Sequence, residues 1–213
     1  MKERPILFAG PMVRAILDGR KTQTRRLMKP QPVGRAGVVW PAEDRWAWSS
    51  AAGQTMLDER DAQCCCPHGY KRDRLWVRET FALAPLRTEP DPDDPDDWHP
   101  VYRADGDERP WLSSLDEEAR EVKPPWKPSI FMPRWASRLL LEITEVRVQR
   151  LQDITEDDAR AEGVTPAPFC KSGRPSGMEH VEAFEDLWDE INGDRATWAS
   201  NPWVWAISFR RVP

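Results

Sequence analysis

Arg138-Leu-Leu-Leu-Glu-Ile-Thr-Glu-Val-Arg-Val-Gln-Arg150 carries the longest strand signal in this chain. Leu139, Leu141 and Ile143 share one parity, then Val146 and Val148 take the other. A strand's side chains alternate between two faces, so a change of phase requires an extra residue, a bulge or corner. Such corners are common where a sheet curls towards a barrel. A second strand closes the chain, with Trp203, Trp205, Ile207 and Phe209 alternating against Val204, Ala206 and Ser208. Shorter strands are expected at residues 5–8 and over Arg74–Glu79, where Leu75 and Val77 alternate with Trp76 and Arg78.

Helices are few. Met12, Val13, Ile16 and Leu17 follow helical spacing behind Pro11, and Gly19 ends that helix. Thr155-Glu-Asp-Asp158 is a capping box opening a helix that runs to Gly163. Glu162 then stands in the last turn, where the helix dipole disfavours an anion and calls for a compensating cation or a raised pKa. Phe184, Leu187, Trp188 and Ile191 make the apolar stripe of a third helix, and residues 110–126 suggest a further short one. Several strands with few, short helices indicate an α+β domain with a curled antiparallel or mixed sheet. Residues 1–213 read as one domain with surface insertions near 30–70 and 84–125; within the second, Glu89–Asp97 is a proline-broken acidic run suited only to an exposed loop.

The chain is acidic, with 36 Asp+Glu against 31 Lys+Arg and a formal net charge of -5. That argues against a general DNA coat protein and leaves room for a nucleotide or a single nucleic-acid groove. No apolar run approaches the ~18 residues of a membrane span, and the N-terminus lacks the apolar stretch of a signal peptide, so a cytoplasmic protein is expected. Twelve tryptophans are many; packing accounts for most, and stacking on bases is their second use.

Against this background, Gly19-Arg-Lys-Thr-Gln-Thr-Arg-Arg26 stands out. It sets Arg20, Lys21, Arg25 and Arg26 beside the hydroxyls of Thr22 and Thr24 on the loop leaving the first helix. Lys21 and Thr24 suit a base and a nucleophile, and the arginines suit anion clamps; a solvated basic turn is the plain alternative. Glycine-rich nucleotide cradles and a Gly-x-Ser-x-Gly elbow are missing. Cys64, Cys65, Cys66 and His68, with distant Cys170, lack ordinary zinc spacing and read as incidental thiols, so neither metal nor cofactor is expected. His99 and His180 read as surface residues.

Three segments in this order, Gly19-Arg-Lys-Thr-x-Thr-Arg25, Asp73-Arg-Leu-Trp-Val-Arg-Glu79 and Ile154-Thr-x-x-Asp-Ala-x-x-Glu-Gly163, resemble the signature segments of the ASCH superfamily, a relative of PUA-type domains. The closing Asn201–Phe209 strand is similar to that of longer members from phages and prophages. The resemblance covers residues 5–29, 73–81, 127–163 and 182–212 and implies a small PUA-like β-barrel with flanking helices beside a cleft for a nucleobase or nucleic-acid strand. One branch, the bacterial N4-acetylcytidine amidohydrolases, implies Lys21 as proton acceptor, Thr24 as nucleophile and Glu162 as proton donor. Arg20, Thr22, Arg25, Arg26, Trp76, Arg78, Glu79, Arg134 and Arg138 are the implied substrate or nucleic-acid contacts, and a nucleoside, RNA or single-stranded DNA the implied partner. Two rival readings accompany it: a non-catalytic RNA- or DNA-binding module, and a metal-independent ribonuclease. Lys21 and Thr24 would face opposite ways in a straight strand, so a shared site requires the segment to turn.

Overall fold

The computed structural model describes residues 1–29, 31, 47–50, 53–56, 66–85, 98–106, 111–112, 121–122, 126–166 and 177–212. Its frame is a five-stranded mixed sheet of β1 (Glu3–Leu7), β2 (Gln23–Leu27), β5 (Arg74–Arg78), β10 (Leu140–Arg150) and β11 (Trp203–Val212), in the order β1-β5-β10-β11-β2. β1 runs parallel to β5 and every other pairing is antiparallel. Three two-stranded ladders flank it: β3 (Ala47–Ser50) with β4 (Gly53–Met56), β6 (Phe81–Pro85) with β7 (Trp98–Tyr102), and β8 (Trp111–Leu112) with β9 (Glu121–Val122). The helices are α1 (Gly10–Leu17), α2 (Glu156–Ala161) and α3 (Glu179–Asn192).

The phase change in β10 is a register shift: Ile143 pairs with Phe209 and Glu145 with Ser208, leaving Thr144 over. Leu141 and Ile143 before it, and Val146 after it, all reach the same buried cluster, with Ile6, Val13, Leu75, Val77, Ile207 and Phe209. Without the extra residue, Val146 would face the other way. A second cluster lies under α2 and α3, where Ile154, Phe184, Trp188 and Trp198 pack on Val204. The sheet is therefore covered on both sides at β11, and Val204 through Ile207 are all buried.

Local signals are met at the helix ends. Pro11 opens α1, Gly19 takes a left-handed φ of 73° just beyond it, and Thr155 accepts a hydrogen bond from the Asp158 amide. No helix among the described residues is long and apolar enough to cross a membrane.

Several expectations need correction. The resemblance implies a barrel, but among the described residues the ladder stays open, with β1 and β2 as its edges. A side chain spans the gap instead: Arg26 Nη2 donates to the Leu7 carbonyl at 2.7 Å. Residues 111–112 and 121–122 form an extended ladder where a short helix was expected. Trp76, on the supposedly wet face of its strand, is buried, because Arg78 and Arg134 lie over its ring. The basic segment is part loop and part strand, since Thr24, Arg25 and Arg26 belong to β2. His180 is no free surface residue; its Nδ1 lies 2.6 Å from Glu156 Oε1, and His99 is half-buried. Cys64, Cys65, Cys170 and the 89–97 run lie outside the described residues.

Candidate functional site

Lys21 precedes β2 on the loop that turns out of α1, and its backbone amide bonds back to the Ala15 carbonyl. Thr22, by contrast, is stitched to the end of α2, its amide donating to the Ala161 carbonyl at 2.8 Å. These bonds bring the Lys21 side chain to the C-terminal end of α2, where Glu162 caps the helix. Lys21 Nζ donates to Glu162 Oε2 and to the Glu162 carbonyl, both at 2.8 Å. The other carboxylate oxygen, Oε1, accepts from Arg25 Nη1 at 3.1 Å. Two cations thus compensate an anion placed against the helix dipole.

A second layer holds Arg25. Its Nη2 donates to Asp158 Oδ2 at 2.9 Å and its Nη1 to Gln23 Oε1 at 2.6 Å. Arg147, aligned with Ala206 across the ladder as Arg25 is, donates to Asp158 Oδ1 at 3.0 Å. Gln23 Nε2 bridges Asp158 and Ser208. Lys21, Gln23, Thr24, Arg25 and Glu162 are all buried. Burial of ions is costly unless each is paired and hydrogen-bonded; Asp158 and Glu162 pair the two cations, while the buried Arg25 Nε has no hydrogen-bond partner among the described residues.

Protonation follows from the same geometry. Burial pushes the Lys21 ammonium below its ordinary value against the pull of Glu162, and Arg26 and Arg25 add to the depression. Burial likewise lowers Arg26. Burial pushes the Asp158 carboxyl up, but Arg147, Arg25 and Gln23 outweigh it and hold it below the usual carboxylate range.

Lys21, Thr24, Arg25, Arg26 and Glu162 line one cleft of about 120 Å³ beside edge strand β2. Leu7, Phe8, Ala9 and Met12 form one wall; Phe184, Leu187, Trp188 and Ile191 of α3 form the other. Lys21 Nζ and the Arg26 guanidinium both lie over the Phe8 ring, at 5.5 and 5.1 Å. The turn before β2 meets the geometric demand that Lys21 and Thr24 share a pocket. The floor is cationic and the walls apolar, an arrangement that can take a planar ring and polarise an acyl or anionic group on it.

The remaining sequence candidates lie elsewhere. Arg20 pairs with exposed Asp18 at 2.9 Å and borders an adjoining hollow of about 330 Å³ beyond Met12 and Leu187. Thr22 is exposed. Glu79 is buried against Arg138, which grips both its oxygens at 3.0 Å and also holds Asp105. Burial raises the Glu79 carboxyl in spite of that grip. Trp76 lies beneath Arg78 and Arg134, on β5.

Asp158, Arg147 and Phe8 escaped the sequence reading as site residues. Asp158 had a visible signal as the capping-box acid, but a cap says nothing of what its carboxylate holds. Cys66 is a buried free thiol, pushed up to about 11 by burial. Burial, then Arg26 and Arg4, push His68 down to about 4. Among the described residues no cluster of His, Cys, Asp and Glu could hold a metal ion.

No protein-family model matches this chain, and no curated protein does. A solved structure that does match is the ASCH domain from Lactobacillus crispatus JV V101. The alignment covers 99% of this chain and 79% of that one, at 12% identity and a TM-score of 0.38. Neither figure bears on the chemistry of the cleft.

Proposed function

We propose that this chain is an ASCH-superfamily, PUA-like protein whose cleft takes a nucleobase, and that Lys21, Thr24 and Glu162 remove an acyl group from the N4 of an acylated cytosine. The observation that carries the reading is the 2.8 Å contact between Lys21 Nζ and Glu162 Oε2, buried and opening onto the same cleft as Thr24. Residues from two segments well apart in sequence meet there.

The pair supplies a base and an acid in one step. A proton passing to Glu162 from the Lys21 ammonium, which burial pushes below its ordinary value, leaves a neutral amine and a carboxylic acid. The amine takes the Thr24 hydroxyl proton as Oγ bonds to the acyl carbon; Glu162 gives its proton to N4 as the C–N bond breaks. Water then hydrolyses the Thr24 ester, releasing the carboxylic acid and restoring the hydroxyl. At about 120 Å³ the cleft is below the ~300–1,000 Å³ typical of sites that enclose drug-sized ligands. It suits a base with its sugar left outside.

A non-catalytic base-binding module is the second reading, favoured by the commitment of the Lys21 ammonium to Glu162 rather than to Thr24. Incubation with N4-acetylcytidine in EDTA separates the two. Carboxylate release by the wild type, lost in Thr24→Val and retained in Thr24→Ser, is the expected result. Release that survives Thr24→Val removes the nucleophile role; absence of release with retained nucleoside binding leaves the binding module.

A further inference from the structure

We propose that Glu156 is a positioning residue for the cleft: from the start of α2 it caps and clamps α3, and so sets the apolar wall of the cleft against Lys21 and Glu162. This role rests on the cleft being the base-binding site and names what fixes its width.

Among the described residues, α3 does not cap its own N-terminus. The first amides of a helix have no partner within it, and a Ser, Thr, Asp or Asn at the N-cap normally supplies one. Here the N-cap is Met178, whose side chain makes no capping hydrogen bond and packs instead on the cluster of Phe184, Trp188 and Trp198. Glu179, the first helical residue, turns its carboxylate back to the Gly177 amide at 2.9 Å. The missing acceptor comes from another helix. Glu156 Oε1 accepts from the His180 amide at 3.0 Å, and Oε2 accepts from the Val181 amide at 3.1 Å. The His180 ring closes the clamp, its Nδ1 standing 2.6 Å from Oε1 as the donor that a carboxylate partner requires. Burial pushes the Glu156 carboxyl up, but the His180 amide, the His180 ring and the Val181 amide outweigh it and hold it below the usual carboxylate range. The positive end of the α3 dipole adds to the hold.

Both sides of the clamp lead to the cleft. Glu156 begins the helix that Glu162 caps at its far end, ~9 Å on at helical rise. Val181 leads into Phe184, Leu187, Trp188 and Ile191, which wall the cleft, and the Arg25 guanidinium lies 5.8 Å from the Phe184 ring centre. Apolar packing is non-directional and lets a helix slide or roll. Hydrogen bonds to two successive amides and a ring are directional and fix both motions. The other end of α3 has its own anchors: Asp189 Oδ1 accepts from the Trp198 amide at 2.6 Å, and Trp188 Nε1 donates to the Ala196 carbonyl at 2.8 Å. Release of Glu156 therefore swings one end of the wall and leaves the other in place.

Glu156→Ala tests the clamp, with Glu156→Gln, which keeps one acceptor oxygen, as its partial rescue. Hydrogen–deuterium exchange should be faster over the first turns of α3 in Glu156→Ala and unchanged in β10 and β11. KM for N4-acetylcytidine should rise about five- to tenfold with kcat held within about twofold, the mark of lost binding rather than lost chemistry. Glu156→Gln should fall between, and carries the comparison alone if Glu156→Ala does not fold. Ile143→Val is the control for stability: Ile143 is fully buried in the first cluster and lines no part of the cleft, so its loss of a methylene should lower the melting temperature and leave KM unchanged. Unchanged exchange in α3 overturns the clamp. A fall in kcat at constant KM overturns the positioning of the wall, as does an equal rise of KM in Ile143→Val. If the wild type releases no acetate, the dissociation constant of the nucleoside replaces KM in the same comparison. If it does not bind the nucleoside either, the base-binding reading fails while the exchange result still decides the clamp.

Discussion

Gly163 packs against Lys21 so closely that a Cβ on it would stand 2.7 Å from the Lys21 Cβ and 2.9 Å from that of Ala15. The glycine lies one residue beyond Glu162, at a φ of 77°. The close approach of loop and helix end that puts Lys21 Nζ on the Glu162 carboxylate thus depends on a missing side chain.

Gly163→Ala is expected to lose about 2–5 kcal/mol, combining left-handed strain of roughly 1–2 with overpacking of roughly 1–3. Gly19→Ala has a similar φ of 73° and nothing within 4 Å of its Cβ, so it should lose only the strain. Urea unfolding of the two side by side isolates the steric part, and equal losses would refute it.

Removing the charge of Glu162 strands Lys21 and leaves Arg25 with Asp158 alone as its anion. Glu162→Gln should lose about 3–5 kcal/mol, the usual result of breaking a buried pair. Lys21→Met leaves Glu162 with Arg25 and should lose less. The double variant is expected to fall short of the sum by about 0.5–3 kcal/mol in a double-mutant cycle; additivity would mean that the pair is not coupled.

Acid stability should carry the mark of His68. Its folded pKa is lowered to about 4 from 6.5. The unfolded chain therefore takes up a proton that the folded chain refuses, and stability falls as pH falls through that window. The term approaches about 1–3 kcal/mol at its acid end, after allowance for partial exposure. His68→Gln should flatten the pH 7 to 4.5 change in unfolding free energy; a parallel profile in wild type and variant would count against it. Asp73, Glu156 and Asp158, all with lowered pKa values, titrate lower and remain in both proteins.

The outer wall of the cleft should separate binding from folding. Ile191 is 56% exposed yet borders the cleft. Ile191→Ser is expected to change stability by no more than about 0.5 kcal/mol while raising KM for N4-acetylcytidine with little change in kcat. An unaltered KM would remove Ile191 from the ligand's path.

Legibility in the sequence tracked the range of the interaction involved. The β10 bulge, the Thr155 cap and the glycine after α1 rest on neighbouring residues and can be read from parity and turn chemistry. The α3 stripe is partly so: Phe184 and Trp188 are core, while Leu187 and Ile191 have their apolar faces at the cleft. Trp76 shows where such reading ends. Alternation identifies its face but not the guanidinium groups that cover it. Residues 111–112 and 121–122 show another limit, since a two-residue ladder has too short a period to compete with a helical reading. The open edges of the sheet depend on contacts between β1 and β2, which no local pattern encodes. Lys21, Thr24 and Glu162 could be singled out from the basic segment and the helix end, with the resemblance joining them into one expected site, whereas Asp158 and Arg147 needed the fold.

Thr144 has a reach beyond its own position. Because it is left over in the ladder, every residue after it on β10 is turned by half a period relative to those before. Val146 is thereby returned to the core, and Arg147 to the side where Asp158 waits. Had the strand kept one phase, the second anchor of Asp158 would point into apolar packing, and the anion holding Arg25 would have one cation fewer. The electrical balance of the cleft is thus set partly by a count of residues in a distant strand, so a single-residue deletion at a site with no charge and no ligand would disturb it.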